Sequence, residues 1–252
     1  MLLTRQTILA AIRQALEPLG YIQAMWEGGA AAFGRVDEWS DIDLQIAADD
    51  ERVGEVLPLV EQAITTLSPI SARYEIPQPT WHGHLQTFYQ LEQASPFLML
   101  DVVAMKASAT NRFLEPEIHG RPVVHFDKIG FTEPPTWDEK AWQQQLEARQ
   151  KQLKVLFHLF QTLILKELPR KNYIEALTFY HSYTLRPLVE MLRIKHAPAH
   201  YNFASRYIYY DLPAGIVQQL EQLYFVANPT ELAAKHAEAV SWFAEQEKDN
   251  GS

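Results

Sequence analysis

Two aspartates that stand two residues apart, Asp41 and Asp43, are the side chains of this 252-residue chain whose spacing most directly indicates chemistry. They alternate with Ile42 and Leu44, a pattern typical of a β-strand with one buried face, so both carboxylates lie opposite the core. Carboxylates in this arrangement present oxygen atoms to one point, where they can hold Mg²⁺ if substrate phosphates complete its octahedron. The pair therefore predicts a metal site.

A third carboxylate, Asp101, lies in the middle of the apolar run 97–105, which predicts a central strand of a sheet. We expect Asp101 to complete the metal site with Asp41 and Asp43 or to deprotonate an acceptor hydroxyl. The alternative is a structural ion pair with a lysine such as Lys106. Two metal ions held by such carboxylates can activate an attacking oxygen and neutralise a leaving pyrophosphate.

Two consecutive glycines, Gly28 and Gly29, follow the strand-like run 21–26. Glycine lets a backbone approach phosphate groups closely, because no Cβ stands in the way and backbone N–H groups are good anion donors. Arg35 and Ser40 are natural further contacts to a triphosphate. The segment between the two strands is therefore predicted to bind a nucleotide.

A Gly-Gly turn, an Asp-x-Asp pair on the next strand and a third carboxylate in a later apolar strand resemble the signature of the nucleotidyltransferase superfamily that includes DNA polymerase beta. The matching residues are Gly28, Gly29, Asp41, Asp43 and Asp101. The layout is similar to that of the small aminoglycoside and lincosamide adenylyltransferases, which carry a C-terminal helical domain. The resemblance implies ATP as the nucleotide donor, two Mg²⁺ ions and transfer of AMP to a hydroxyl group.

One position departs from the family pattern. The family frequently has a serine after the first glycine, where this chain has Gly29. A hydroxyl contact to the outer phosphates is then missing unless Ser40 supplies it.

Other polar residues compete for a chemical role. His82 and His84 flank Gly83 but belong to no defined ligand motif, so a structural role is favoured over metal binding. Glu92 follows a predicted strand and is an alternative general base to Asp101. The helical half holds many aromatic and basic side chains, and the sequence does not indicate which of them contact a ligand or act as a base.

Periodicity predicts the elements that must hold these residues. The first half is expected to contain a helix over 4–18 with Thr4 as N-cap, strands over 21–26, 41–47, 72–76, 84–91 and 97–105, and a helix over 51–67 capped by Asp49 or Asp50. After Pro134 and Pro135, helices are expected from Trp137 onward and over about 170–195, 200–210, 213–226 and 229–246. The prediction is an α+β chain, with a polymerase-beta-like mixed-sheet domain over 1–130 and an all-α helical bundle over 137–247.

Composition narrows the function classes. The chain carries 31 Asp and Glu against 22 Lys and Arg, a formal net charge of -9, which argues against a general nucleic-acid binder. It has no cysteine, so disulfides, thiolate metal sites and a cysteine nucleophile are excluded. The N-terminal residues lack the pattern of a secretory signal and no stretch has the length of a membrane span, so a soluble cytoplasmic protein is expected.

These observations predict a metal-dependent nucleotidyltransferase that moves a nucleoside monophosphate, AMP from ATP, to a hydroxyl of a small molecule. The acidic surplus favours a cationic acceptor such as an aminoglycoside. The alternatives are AMP transfer to a protein, as in a toxin–antitoxin pair, and a nucleotide-binding protein without turnover. The sequence leaves the acceptor, the preferred base and the oligomeric state open.

Overall fold

The structure of the protein, a computed structural model, describes residues 2–249 and divides into two compact units, Met1–Trp137 and Asp138–Ser252. The first unit contains a mixed sheet with helices, and the described part of the second unit is helical. The predicted α+β class is confirmed. No helix within residues 2–249 is long and apolar enough to cross a membrane.

Six strands form the sheet of the first unit. They are β1 (Ile22–Glu27), β2 (Ile42–Ala48), β3 (Ile70–Glu75), β4 (Leu85–Leu91), β5 (Met99–Lys106) and β6 (Val123–Asp127). Their order across the sheet is β3-β4-β5-β2-β1-β6. β2 and β5 pair in parallel, and the other neighbouring strands pair antiparallel. The apolar run around Asp101 thus becomes an inner strand, as its composition predicts.

The opening helix α1 (Arg5–Leu16) begins where the sequence predicts. The side chain of Thr4 accepts a hydrogen bond from the backbone N–H of Thr7 and so caps the first turn. Its buried apolar residues, Ile8, Leu9, Ile12 and Leu16, recur at helical spacing. They belong to one core cluster with the inward side chains of β2 and β5.

The predicted helix over 51–67 is wrong at its start. The segment begins with a 3₁₀ turn, Val53–Glu55, and the helix that follows, α3, spans Val56–Thr65. The short helix α2 (Gly29–Ala32) lies earlier in the chain, between β1 and β2. Asp49 and Asp50 cap neither the 3₁₀ turn nor α3. The carboxylate of Asp50 instead accepts hydrogen bonds from the N–H and hydroxyl of Ser108, and that of Asp49 accepts one from Gln23. These contacts join neighbouring segments, which is why the two carboxylates are unavailable for capping.

The two faces of the sheet differ. On one face, α1 and α3 cover the large apolar cluster that contains Ile42, Leu44 and Leu100. The other face carries a smaller cluster, which consists of Ala24, Trp26, Ala47, Val103, Met105, Leu114 and Phe131. Because side chains alternate along a strand, Asp43 and Asp101 lie on this second face. Three elements of the first unit have no counterpart among the predicted ones: β6 and the short helices α2 and α4 (Pro116–His119).

The helical unit begins with α5 (Glu139–Arg170), capped by the side chain of Asp138. Its further helices are α6 (Tyr173–Phe179), α7 (Arg186–His196), α8 (Ile208–Asp211), α9 (Ala214–Tyr224) and α10 (Pro229–Asp249). The single helix expected over about 170–195 is divided, because a π-helical turn, Tyr180–Leu185, separates α6 from α7. Buried Gln161 donates to the carbonyl oxygen of Tyr183 in that turn, at 3.0 Å. The helix expected over 200–210 is not formed at that length, and the structure has only the short helix α8 at its end.

Candidate functional site

The carboxylates of Asp43 and Asp101 come from neighbouring strands at the same level of the sheet. In the parallel register of β2 and β5, Asp43 is the direct partner of Asp101. Both side chains are half-buried and lie on the face that α1 and α3 leave uncovered. The structure therefore brings together two acids that are far apart in the sequence.

Asp41 lies at the same edge, just before β2 begins. Its Oδ1 accepts a hydrogen bond of 3.3 Å from the backbone N–H of Met99, the first residue of β5. The contact ties the start of β2 to the start of β5. All three predicted acids thus belong to the same end of one parallel strand pair.

The main chain at Asp41 is held from α1. Arg5 donates from Nη1 to the carbonyl oxygen of Asp41 at 2.5 Å and forms an ion pair with buried Glu27 of β1. His125 of β6 lies 3.0 Å from the other carboxylate oxygen of Glu27. Burial alone raises the pKa of Glu27, but His125 and Arg5 outweigh burial and hold that pKa below its usual value. An ionised Glu27 therefore anchors the arginine that fixes this segment.

The electrostatics of Asp101 differ from those of an ordinary surface acid. Its pKa is raised to about 6, chiefly by burial and further by the negative charges of Asp43 and Asp41. The side-chain amide of Gln86 donates to Asp101 Oδ1 at 2.7 Å and acts in the opposite direction. This pattern is typical of carboxylates that share a site.

The alternative partner for Asp101, Lys106, lies at the far end of β5. It is exposed and acts on Asp50, whose pKa it helps to lower after the stronger effect of Ser108. Glu92, the alternative base, is also exposed, and its backbone N–H donates to Pro69 before β3, on the opposite side of β4 from β5. Lys106 therefore does not serve as the ion-pair partner of Asp101, and Glu92 does not replace Asp101 as the acid beside Asp43.

The glycine pair lies directly against Asp43. The backbone N–H of Gly28 donates to the carbonyl oxygen of Asp43 at 2.9 Å. Gly29 has a φ of +50°, and a Cβ built on it would stand 1.7 Å from Asp43 Oδ2. No side chain fits in that space, so glycine is required there by the carboxylate itself.

Arg35 and Ser40, the two further residues predicted to contact a triphosphate, contact other groups of the protein. The guanidinium of Arg35 lies over the ring of Phe33, 5.0 Å from its centroid. The hydroxyl of Ser40 donates to Asp37 Oδ1 at 2.6 Å and accepts from the N–H of Asp37 at 2.9 Å. Ser40 thus closes a turn ahead of β2, and contact with a phosphate would require it to exchange this partner.

Sequence reasoning missed two glutamines on the same face. Gln45 follows Asp43 by two residues on β2, and its Oε1 is buried without a hydrogen-bond partner among the described residues. A Cβ on Gly28 would lie 3.0 Å from that oxygen. Gln86 of β4 and Gln45 are both register partners of Val103, on either side of β5. Strand alternation from Asp43 would have placed Gln45 on this face, but glutamine carries no motif of its own.

An exposed aromatic pair borders Asp41. The rings of Trp39 and Phe97 meet edge to face, with centroids 4.7 Å apart. More than half of each side chain is exposed, 58% for Trp39 and 57% for Phe97. Exposed apolar rings of this size are typical of binding surfaces.

The donor set suits a hard cation. Within residues 2–249, no three His, Cys, Asp or Glu side chains are already closed around one point as a metal cage. Mg²⁺ usually binds through one or two carboxylates together with substrate phosphates, so such a cage is not required. The oxygen ligands of Asp41, Asp43 and Asp101 and their mutual repulsion fit a site that a cation and a triphosphate would complete.

Comparison with known proteins gives distant structural matches. No known family model and no curated protein matches the sequence. The chain is similar to an aminoglycoside 6-adenyltransferase from Bacillus subtilis, with 12% identity and a TM-score of 0.38 over 98% of this chain and 90% of that one. It is also similar to a spectinomycin adenyltransferase from Enterococcus faecialis, solved with ATP and spectinomycin, with 11% identity and a TM-score of 0.38 over 96% of this chain and 100% of that one. Both of these proteins are adenyltransferases.

Proposed function

We propose that this chain is a metal-dependent nucleotidyltransferase that transfers AMP from ATP to a hydroxyl group of a small molecule. The observation that carries the proposal is the pairing of Asp43 with Asp101 on parallel strands, with Gly29 packed against Asp43. A half-buried acid whose pKa is raised by burial and by neighbouring acids, as that of Asp101 is, is frequent in catalytic sites.

Asp41 and Asp43 would hold Mg²⁺, two ions in the full site, and Asp101 would either complete the ligand set or act as the general base. When bound, the metal neutralises the charge of the triphosphate and of the leaving pyrophosphate. Gly28 and Gly29 carry no Cβ, so phosphate groups can approach their backbone beside Asp43.

Asp101 is the best candidate for the general base. In the metal-free protein its pKa of about 6 is close to neutral pH, which suits a group that must take up and release a proton. As the acceptor oxygen forms its bond to the α-phosphorus, the bond to pyrophosphate breaks and the hydroxyl proton passes to the carboxylate of Asp101. Gln86 holds the other oxygen of that carboxylate throughout.

The acceptor would be a small cationic molecule. Trp39 and Phe97 offer an apolar surface beside Asp41, and Asp37 and Glu38 add negative charge at the same loop. An amine-bearing ring compound such as an aminoglycoside can stack on the aromatic rings while its ammonium groups face the acids.

The test is transfer from ATP labelled at the α-phosphate to a panel of hydroxylated acceptors, with Mg²⁺ present. The double variant Asp41→Asn/Asp43→Asn is expected to lose transfer and to bind ATP with Mg²⁺ more weakly. Asp49→Asn/Asp50→Asn, a matched acid pair just after the other end of β2, is the control and should retain both. Equal binding of ATP with Mg²⁺ by wild type and the Asp41→Asn/Asp43→Asn variant would refute the metal-site assignment.

A further inference from the structure

Asp101 is the last member of a chain of hydrogen bonds that begins in a surface loop. His82 Nε2 lies 3.1 Å from Gln86 Oε1, and Gln86 Nε2 lies 2.7 Å from Asp101 Oδ1. On the other side of the imidazole ring, the backbone N–H of His84 donates to His82 Nδ1 at 3.1 Å. Two side chains, His82 and Gln86, therefore connect the backbone of the loop 77–84 to the carboxylate of Asp101.

The hydrogen bond between the backbone N–H of His84 and the ring of His82 can run in one direction only. A backbone N–H is always a donor, so His82 Nδ1 must be the acceptor and the neutral ring carries its proton on Nε2. Thr80 Oγ1, 3.3 Å from Nδ1, uses its own hydroxyl proton on the carbonyl oxygen of His84 at 2.7 Å. The backbone thus selects one tautomer of His82.

The tautomer in turn fixes the orientation of Gln86. Because His82 Nε2 donates, the amide oxygen of Gln86 must face the ring, and the amide NH₂ must face Asp101. In the opposite orientation, the amide oxygen of Gln86 would face the ionised carboxylate of Asp101, and neither of these two groups can donate a hydrogen bond to the other. The two ends of the chain therefore require the same orientation of the amide.

We propose that Gln86 is a positioning residue for Asp101 and that His82 sets the direction of Gln86, an inference that rests on the proposed function. Gln86 binds Oδ1 and so fixes the plane of the carboxylate, leaving Oδ2 for the cation or for the proton of the acceptor. Hydrogen-bond partners of this kind orient metal ligands, and their loss typically costs about 10–100-fold in metal affinity or activity. His82 thereby has a role at the site although it touches neither the metal nor the substrate.

Four single variants test this inference with a readout that does not depend on turnover. Gln86→Met keeps the volume but removes both hydrogen bonds. His82→Gln keeps a donor near the position of Nε2, whereas His82→Asn is too short to reach Gln86. Gln90→Met is the matched control, because Gln90 lies four residues along β4 and donates to Pro96 rather than to Asp101.

The first measurement is the affinity of the metal-free protein for Mn²⁺ by isothermal titration calorimetry. We expect Gln86→Met and His82→Asn to weaken binding by about tenfold. His82→Gln and Gln90→Met should bind as the wild type does. Equal Mn²⁺ affinity in Gln86→Met and Gln90→Met would overturn the inference.

The second measurement is the tautomer of His82, read from ¹⁵N NMR of histidine-labelled protein, with the signal assigned by its loss in His82→Gln. The Nε2–H form is expected in wild type, and a mixture of tautomers in Gln86→Met. An Nδ1–H ring in the wild type would overturn the inference even if AMP transfer is found. If the wild type does not bind Mn²⁺, the proposed function fails, and the tautomer still decides the arrangement of His82 and Gln86.

Discussion

Asp43 on β2 and Asp101 on β5 are direct partners in the one strand pair of the described sheet that runs parallel. In a parallel pair, residues at one level point to the same face, so the two carboxylates meet without any distortion of the backbone. Gly29 packs against one of them, and Gln86 binds the other. The site is therefore built from regular strands, with the glycine turn fitted around it.

Replacement of Asp101 should stabilise the metal-free protein at high pH. The folded pKa of Asp101, about 6, lies above its ordinary value of 3.8, so between these values the folded state binds more protons than the unfolded state. Stability contributed by this group is lost as pH rises through that window. In EDTA, Asp101→Asn should raise Tm by a few degrees at pH 8 and by much less near pH 4.

The control for this experiment is Asp50→Asn. The hydrogen bonds from Ser108 hold the pKa of Asp50 below its usual value, so its substitution should not raise Tm at pH 8. A gain in Tm for Asp101→Asn that is the same at both pH values would contradict the explanation, because titration of the carboxylate would then have no part in it.

Gly29→Ala should damage the site more than a backbone effect alone can explain. An alanine there both adopts an unfavourable positive φ and places its Cβ on the carboxylate of Asp43. Gly34→Ala is the matched control, since Gly34 has a φ of +65° and nothing within 4 Å of the added Cβ. The control should lose about 1 kcal/mol in the free energy of unfolding.

Gly29→Ala should lose clearly more than the control in urea unfolding, and it should bind Mn²⁺ more weakly because Asp43 must move. Equal losses in the two variants would show that the contact with Asp43 has no energetic weight.

Divalent metal should stabilise the wild type and not the variant that lacks the acid pair. A ligand that binds only the folded state raises apparent stability by about 2.7 kcal/mol at 100 times its dissociation constant. Thermal melts at pH 8 with Mg²⁺ and ATP should therefore show a higher Tm for the wild type, and EDTA should reverse the gain. An equal gain in Asp41→Asn/Asp43→Asn would mean that the metal binds elsewhere.

The aromatic pair should contribute to acceptor binding rather than to ATP binding. Stacking and cation–π contacts contribute about 0.5–2 kcal/mol, so Trp39→Ala should raise the KM for a cationic acceptor several-fold. The KM for ATP should change little. Tyr74→Ala is the control, because Tyr74 is 59% exposed on β3, the far edge strand of the sheet. A rise in the ATP KM alone would assign Trp39 to the nucleotide instead.

Local sequence patterns predict much of this site. Alternation of apolar and acidic residues places Asp41 and Asp43 on the outer face of β2, and the apolar surroundings of Asp101 indicate an inner strand. The pairing of β2 with β5 is a long-range property, because each strand could satisfy its own pattern beside other neighbours. Convergence of the three acids is therefore an expectation that the pattern of neither strand can establish by itself.

The hardest residues to predict are those whose side chains can serve several different roles. Asp49 and Asp50 have the composition of helix caps, but contacts from Gln23 and Ser108 use their carboxylates. Gln86 gives no signal in the sequence because its role depends on Asp101 across a strand pair. The role of His82 depends on a single backbone N–H in its loop.

The parallel pairing of β2 and β5 also has a kinetic consequence. Parallel strands require a crossover, and here α3, β3 and β4 lie between the two in the chain. Contacts between distant segments form slowly, since the intervening chain must be ordered first. We therefore expect Asp43 and Asp101 to meet late in folding, so that Mn²⁺ binding during refolding would report the completion of the sheet rather than the formation of its first hairpin.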